Sequence, residues 1–268
     1  MKNKKNTNNK KRKSQLEIVK DAVNTSKKKN MENLSSKLDG IYNEVNLETT
    51  QTCKCHCCQV AMPQISYGEF INIATSVWDN SSEKDKLHYI KTSIEYFFRY
   101  EFEKWGISSL VKPCMFLQDD GKCGIYEKRP LSCRMFGLWP QEMYDERVEN
   151  FSKIYSEYGL EISDLPLHKQ CKSVKRKSED VELNREIVEG LYEKLHHLDK
   201  SIGDFTDLQI ETKENVRTFH DWLLMKVFGE DWLELMTTFV LAAEREVLEA
   251  QFEAIWEALD GQNFSKVF

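Results

Sequence analysis

The sequence has no run approaching the roughly 20 apolar residues that a bilayer-spanning helix needs, so no membrane span is expected in its 268 residues. Residues Met1–Gln15 are rich in Lys and Asn and lack the apolar stretch of a secretory signal. A cytoplasmic location is therefore expected. There is no P-loop, no dinucleotide-binding glycine fingerprint and no Cys-x3-Cys-x2-Cys run of the common radical type. No internal repeat is visible. The basic cluster near the start contains no interleaved aromatic residue to stack on bases, and the net charge is −6. A nucleic-acid partner is not expected.

What the chain does contain is enough apolar residue, 40% of the total, to build a sizeable core. Its charge is unevenly placed. Residues 1–30 carry eleven Lys or Arg against Glu17 and Asp21, while residues 181–268 carry 19 acidic and eight basic side chains. The basic arm reads as a disordered tail over residues 1 to about 14.

Helical periodicity covers most of the remainder. A weak amphipathic stripe of Leu34, Leu38, Ile41 and Val45 comes first. Ser66 and Glu69 have the spacing of a capping box, opening a helix that turns Phe70, Ile73 and Val77 inward. A longer helix over 83–105 carries Leu87, Ile90, Ile94, Phe97 and Phe98, with Gly106 as its stop. Further helices are predicted over 141–158, from a cap at Ser178 to about His197, over 210–228 ending at Gly229, and over 231–259. Trp222, Trp232, Phe239 and Trp256 read as packing residues. Glu193 and His196 have the spacing of a di-iron helix motif, but a second copy is lacking and a solvated helix face fits better.

The eight cysteines all fall between positions 53 and 171. In a reducing compartment thiols stay thiols unless they bind metal or do redox work. Cys53, Cys55, Cys57 and Cys58 form Cys-x-Cys-x-Cys-Cys, and Cys114, Cys123, Cys133 and Cys171 follow at wider spacing. Crowded thiolates repel one another, and a bound cation removes that repulsion while ordering the loops that carry them. Buried unligated cysteines are common singly; eight in two groups are a metal signature.

Cys114-Met-Phe-Leu and Cys123-Gly-Ile-Tyr flank an Asp-Gly turn, which predicts a short β-hairpin. A turn centred between Gln118 and Asp119 would make Cys114 and Cys123 cross-strand neighbours, with Cβ atoms about 4.5–5.5 Å apart. Pro130 suits the start of a short helical turn bearing Cys133, and Gly137 its end. Arg129 and Arg134 flank Cys133, placed to offset thiolate charge or to hold the carboxylate of a cofactor. His56 and His168 read as loop histidines.

The blocks Cys114-Met-Phe-Leu, Cys123-Gly-Ile-Tyr-Glu127 and Arg129-Pro130-Leu-Ser-Cys133-Arg134 resemble the CxxCxxCC (YkgJ-type) zinc- or iron-chelating cysteine-cluster family, over residues about 50–175. Cys57-Cys58 fits that family's terminal pair. Its spacing would place a further cysteine at Lys54, which here lies between Cys53 and Cys55. The resemblance implies that the cysteines hold zinc or an iron–sulfur cluster. Flagellin lysine N-methylases carry a similar motif, so it also admits an S-adenosylmethionine-dependent enzyme acting on a protein.

The sequence thus predicts a mainly α protein with a small irregular metal-bearing core containing a short β-hairpin. A basic arm and weak helix occupy 1–49, the cysteine core 50–175 and an acidic helical segment 176–268. Three functional readings stand: a structural or metal-handling module whose C-terminal helices contact another protein, an iron–sulfur enzyme, or an adaptor with a metal-stapled core.

Overall fold

The structure is a computed structural model that describes residues 31–45, 58, 62–103, 113–157, 183–202 and 216–264. The basic arm, Cys53, Cys55, Cys57, Cys171, His56, His168, Gly106 and Ser178 lie outside the described residues.

Helix α1 covers residues 31–43 and buries Leu34, Leu38 and Ile41, with Val45 just beyond it. The 3–4 spacing of these residues predicts that face. Helix α2, Tyr67–Asp79, begins at the expected capping box: Ser66 Oγ accepts from Glu69 N–H, and Glu69 accepts from Ser66 N–H. Phe70 and Ile73 point into the core as predicted, and Val77 packs at its edge. Helix α3, Glu83–Glu103, buries Ile90, Ile94, Phe97 and Phe98.

After the cysteine-bearing loop come α4, Leu131–Met135, and α5, Gln141–Glu157. Helix α6, Arg185–Ser201, starts later than the Ser178 cap suggested, because Asn184 accepts from Ile187 N–H and supplies the cap. Helix α7, Phe219–Phe228, likewise starts later than residue 210. Thr218 and Asp221 form its capping box, and the preceding residues form a strand. That strand, β2 (Arg217–Thr218), pairs antiparallel with β1 (Gln64–Ile65), joining distant parts of the chain.

The long helix expected over 231–259 is two helices, α8 (Glu230–Ala242) and α9 (Arg245–Ala258). A straight helix of that length would run about 43 Å, past the end of the core. The extended backbone at Ala243 and Glu244 turns the chain so that both halves pack on α3. Phe97 meets Trp232 at 6.3 Å and Phe98 meets Phe252 at 5.9 Å between ring centres.

Two hydrophobic cores result. One joins α2 and α3 to α7, α8 and α9, and includes Cys114 and Phe116. The other joins α1, α4 and α6 through Leu38, Leu131, Met135, Val188 and Leu191. Each core therefore combines residues far apart in sequence. Among the described residues no helix is long and apolar enough to cross a membrane.

Asp199 on α6 couples the cores. Its Oδ1 accepts from Ser66 Oγ–H at 3.2 Å and Gly68 N–H at 2.8 Å, and Oδ2 accepts from Tyr67 N–H at 3.1 Å. Two orphan N–H donors at the start of α2, with the Ser66 hydroxyl, are thus satisfied by a carboxylate from another helix, at the end where the helix dipole favours negative charge. Glycine at position 68 permits the approach, since a Cβ there would sit 3.0 Å from Oδ1.

Burial outweighs these hydrogen bonds and raises the Asp199 carboxyl from the usual carboxylate range to about 6. A carboxyl raised on folding binds its proton more readily in the folded state, so this group adds stability as pH falls through about 6. Asp199→Asn does not titrate. Chemical denaturation of both proteins should show the wild type gaining roughly 1 kcal/mol on the variant between pH 7.5 and 5.5. A constant difference would mean Asp199 titrates with an ordinary carboxylate pKa.

Candidate metal centre

The loop between α3 and α4 is built by turn chemistry. Gly121 N–H donates to Gln118 C=O at 2.9 Å and Gln118 N–H donates to Lys122 C=O at 2.8 Å. This is a turn through Asp119 and Asp120 followed by Gly121 at φ 77°, the left-handed position that glycine takes without strain. The hairpin is present, but its register differs from the prediction. Cys123 bridges Leu117, not Cys114. The turn is centred one residue later than predicted and contains an extra bulge residue, so the cross-strand partner shifts.

Cys114 is positioned differently. Its N–H donates to Cys58 C=O at 2.6 Å, and its C=O accepts from Leu117 N–H at 2.9 Å. The end of the first cysteine group is thereby tied to the start of the second. Beyond Cys123 the chain makes a short 3-10 turn, Tyr126–Lys128, and enters α4 behind Pro130. Cys133 lies within α4, its N–H donating to Pro130 C=O at 3.0 Å. Gly137, at φ 83°, follows the end of α4 where the sequence placed a stop.

These segments converge on one cavity of about 30 Å³, lined by Cys58, Cys114, Cys123 and Cys133. All four are thiols; Cys114 is buried and the others are half-buried. Met62 and Arg129 also line the cavity, whose remaining walls include Ile65, Ile73, Phe116 and Phe219. The room suits an ion or a single water. Soft sulfur donors from four chain positions within an apolar wall fit zinc or iron. Among the described residues no three His, Cys, Asp or Glu side chains are already drawn together tightly enough to hold an ion.

The two arginines separate. Arg129 stacks its guanidinium 3.6 Å from the Tyr126 ring centre and donates Nε–H to Tyr126 C=O at 2.9 Å. Arg134 donates Nε–H to Arg129 C=O at 2.7 Å and Nη2–H to Glu127 C=O at 2.8 Å, with its guanidinium 4.5 Å from the Tyr42 ring. Arg134 thus braces the backbone between Cys123 and Cys133. It is not among the cavity-lining residues. Glu193 of the candidate di-iron pair lies on an exposed part of α6.

Glu69 is the support that sequence reasoning missed. Beyond its capping role it accepts from Leu131 N–H at 2.6 Å and from Tyr42 O–H at 2.7 Å. It thereby holds α4, and with it Cys133, against α1 and α2. Its carboxyl is raised by burial, against the opposing pull of its hydrogen bonds to Leu131, Ser66 and Tyr42 and of Arg134. Burial likewise raises the Tyr42 phenol well above its ordinary value, with Glu69 adding to the shift. Ser132 Oγ–H donates to Gln64 C=O at 2.8 Å and ties α4 to β1 as well. The capping-box spacing announced Glu69's local role, but nothing local announced its contact 62 residues away.

Residues 49–157 match the model of the family CxxCxxCC, whose description is "Putative zinc- or iron-chelating domain". No curated protein and no solved structure matches the chain.

Proposed function

We propose that this protein, whose residues 49–157 match the CxxCxxCC family model, uses its clustered cysteines to hold zinc or an iron–sulfur cluster as a structural or metal-handling module. The observation that carries the proposal is the convergence of Cys58, Cys114, Cys123 and Cys133 on one apolar-walled cavity. Thiolates in such a wall are poorly solvated, and a bound cation offsets both their mutual repulsion and their desolvation. Cys53, Cys55, Cys57 and Cys171 are the remaining candidate donors. Arg129 would moderate the excess negative charge that several thiolates leave around a divalent ion. The reducing cytoplasm is the compartment in which these thiols stay available.

One observation supports an iron–sulfur enzyme acting on a protein. Arg129 is fixed by Tyr126 through its ring and its Nε–H, yet its Nη groups hydrogen-bond to no described residue. A guanidinium held at one edge presents a pre-organised fork for a carboxylate, such as that of S-adenosylmethionine. The same centre could instead serve only to staple an adaptor. In the module and adaptor readings the C-terminal helices contact another protein. Leu235 on α8 and Val247 on α9, 63% and 50% exposed, support that surface.

Purification with oxygen excluded, followed by metal and sulfide analysis and a visible spectrum, separates the metals. Zinc in a colourless protein supports the module and removes the cluster enzyme. Iron with stoichiometric sulfide and a broad visible absorption removes zinc. Protein that retains no metal and takes up neither zinc nor iron overturns the proposal.

A further inference from the structure

We propose that Met62 is a metal donor, its thioether joining Cys114 to make the centre a mixed thiolate–thioether site that also accepts monovalent copper. The inference rests on the metal-binding reading above and concerns a residue outside the cysteine pattern.

Met62 Sδ lies 3.4 Å from Cys114 Sγ, both side chains are buried, and both line the cavity shared by Cys58, Cys123 and Cys133. Two sulfurs bound to one tetrahedral ion at about 2.3 Å are separated by about 3.8 Å. The observed pair therefore needs to open by only a few tenths of an ångström to grip one ion. The neighbouring backbone is held in place. Trp222 Nε1–H donates to Ile65 C=O at 3.0 Å, and Ile65 pairs with Arg217 across the small sheet. The segment that delivers Met62 is thus anchored three residues away.

The chemistry distinguishes this thioether from a further thiolate. Thioether sulfur is soft and neutral, so it adds a donor without adding negative charge. Monovalent copper favours soft donors and is well satisfied by few of them, while zinc is well served by thiolates or imidazole. Cys114 with Met62 and a further cavity thiolate would suit monovalent copper. Met62 is therefore expected to matter more for monovalent copper than for zinc. A methionine that only filled the apolar wall would matter equally little for both ions.

The test uses the full chain, stripped of metal under reducing, oxygen-free conditions, and titrated separately with monovalent copper and with zinc against competing chelators. Met62→Leu keeps a similar apolar volume and removes the sulfur. It is expected to weaken copper binding roughly tenfold or more, the scale of losing an interaction at a metal site, while zinc affinity changes less than about threefold. Copper-edge X-ray absorption of selenomethionine-labelled wild type should show a copper–selenium neighbour, and this reading does not depend on the variant folding. Equal copper affinity in Met62→Leu, or a spectrum without selenium beside copper, overturns the inference. If the wild type takes up neither ion, it is the underlying metal-binding proposal that fails. Zinc uptake with no copper preference for Met62 leaves that proposal standing and removes this one.

Discussion

Cys133→Ser is expected to release the metal and to lower the melting temperature of the loaded protein by about 10 °C or more. Serine is close to cysteine in size, so the packing loss is small and the effect isolates ligation. Cys133 sits in the five-residue helix α4, too short to persist without tertiary support. One support is the carboxylate of Glu69 on Leu131 N–H; the proposed second is the metal itself. Removing a ligand withdraws free energy that belongs to folding as much as to binding. Two comparisons keep the reading sharp. Metal-stripped wild type should melt close to stripped Cys133→Ser, because the difference between the loaded proteins lies in the metal. Cys53→Ser should have the smallest effect of the eight substitutions, since Cys53 lies outside the adjacent pair Cys57-Cys58. A Cys133→Ser protein with full metal content and an unchanged melting temperature would remove Cys133 from the ligand set.

The features legible in the sequence share one property: their causes lie within a few residues. Ser66 and Glu69 announce α2 because the capping box closes over three positions. Asp119, Asp120 and Gly121 announce a turn because its left-handed residue must be one that tolerates positive φ. Pro130 and Gly137 bracket α4 for similarly local reasons. The apolar stripes of α1 and α3 are legible because a helix repeats its environment every 3.6 residues. They do not state which partner covers them.

What escaped was decided by distant residues. The register of the cysteine hairpin depends on where the turn is centred and on one bulge residue, which together move the partner of Cys123 three residues, from Cys114 to Leu117. The starts expected for α6, from Ser178 as a cap, and for α7, at residue 210, precede the caps in the structure, Asn184 and Thr218. The single helix over 231–259 showed no glycine or proline at its break. Ala243 and Glu244 are extended, and the break lets Trp232 of α8 and Phe252 of α9 both meet rings of α3. In the candidate site, the cysteines could be singled out by type, but Met62 is one methionine among eight. Its distinction is its place beside Cys114. Arg129 and Arg134 look equivalent beside Cys133, and only the backbone carbonyls around Arg134 separate a brace from a cavity-lining cation.

Glu69→Gln should cost roughly 2 kcal/mol of stability, lost mainly at the start of α2, with metal affinity little changed. The carboxylate oxygens accept from three donors, Tyr42 O–H and Leu131 N–H on one side and Ser66 N–H on the other. Glutamine offers one accepting oxygen and an NH2 group that donates. Whichever way the amide turns, its NH2 faces at least one of these donors, leaving a buried N–H or O–H unpaired in a site about 3% exposed. Turning the oxygen toward Ser66 opposes both Leu131 and Tyr42 and loosens α4. Turning it the other way frays the start of α2, where Asp199 still holds Tyr67 and Gly68. The second arrangement is cheaper and sets the cost. A structural loss confined to α2 would leave metal affinity unchanged. Weakened binding would instead show that α4 delivers Cys133 through Glu69. Denaturant unfolding measures the first quantity and chelator competition the second. If Glu69→Gln lost no stability, the Glu69 hydrogen bonds would have no part in holding these helices together.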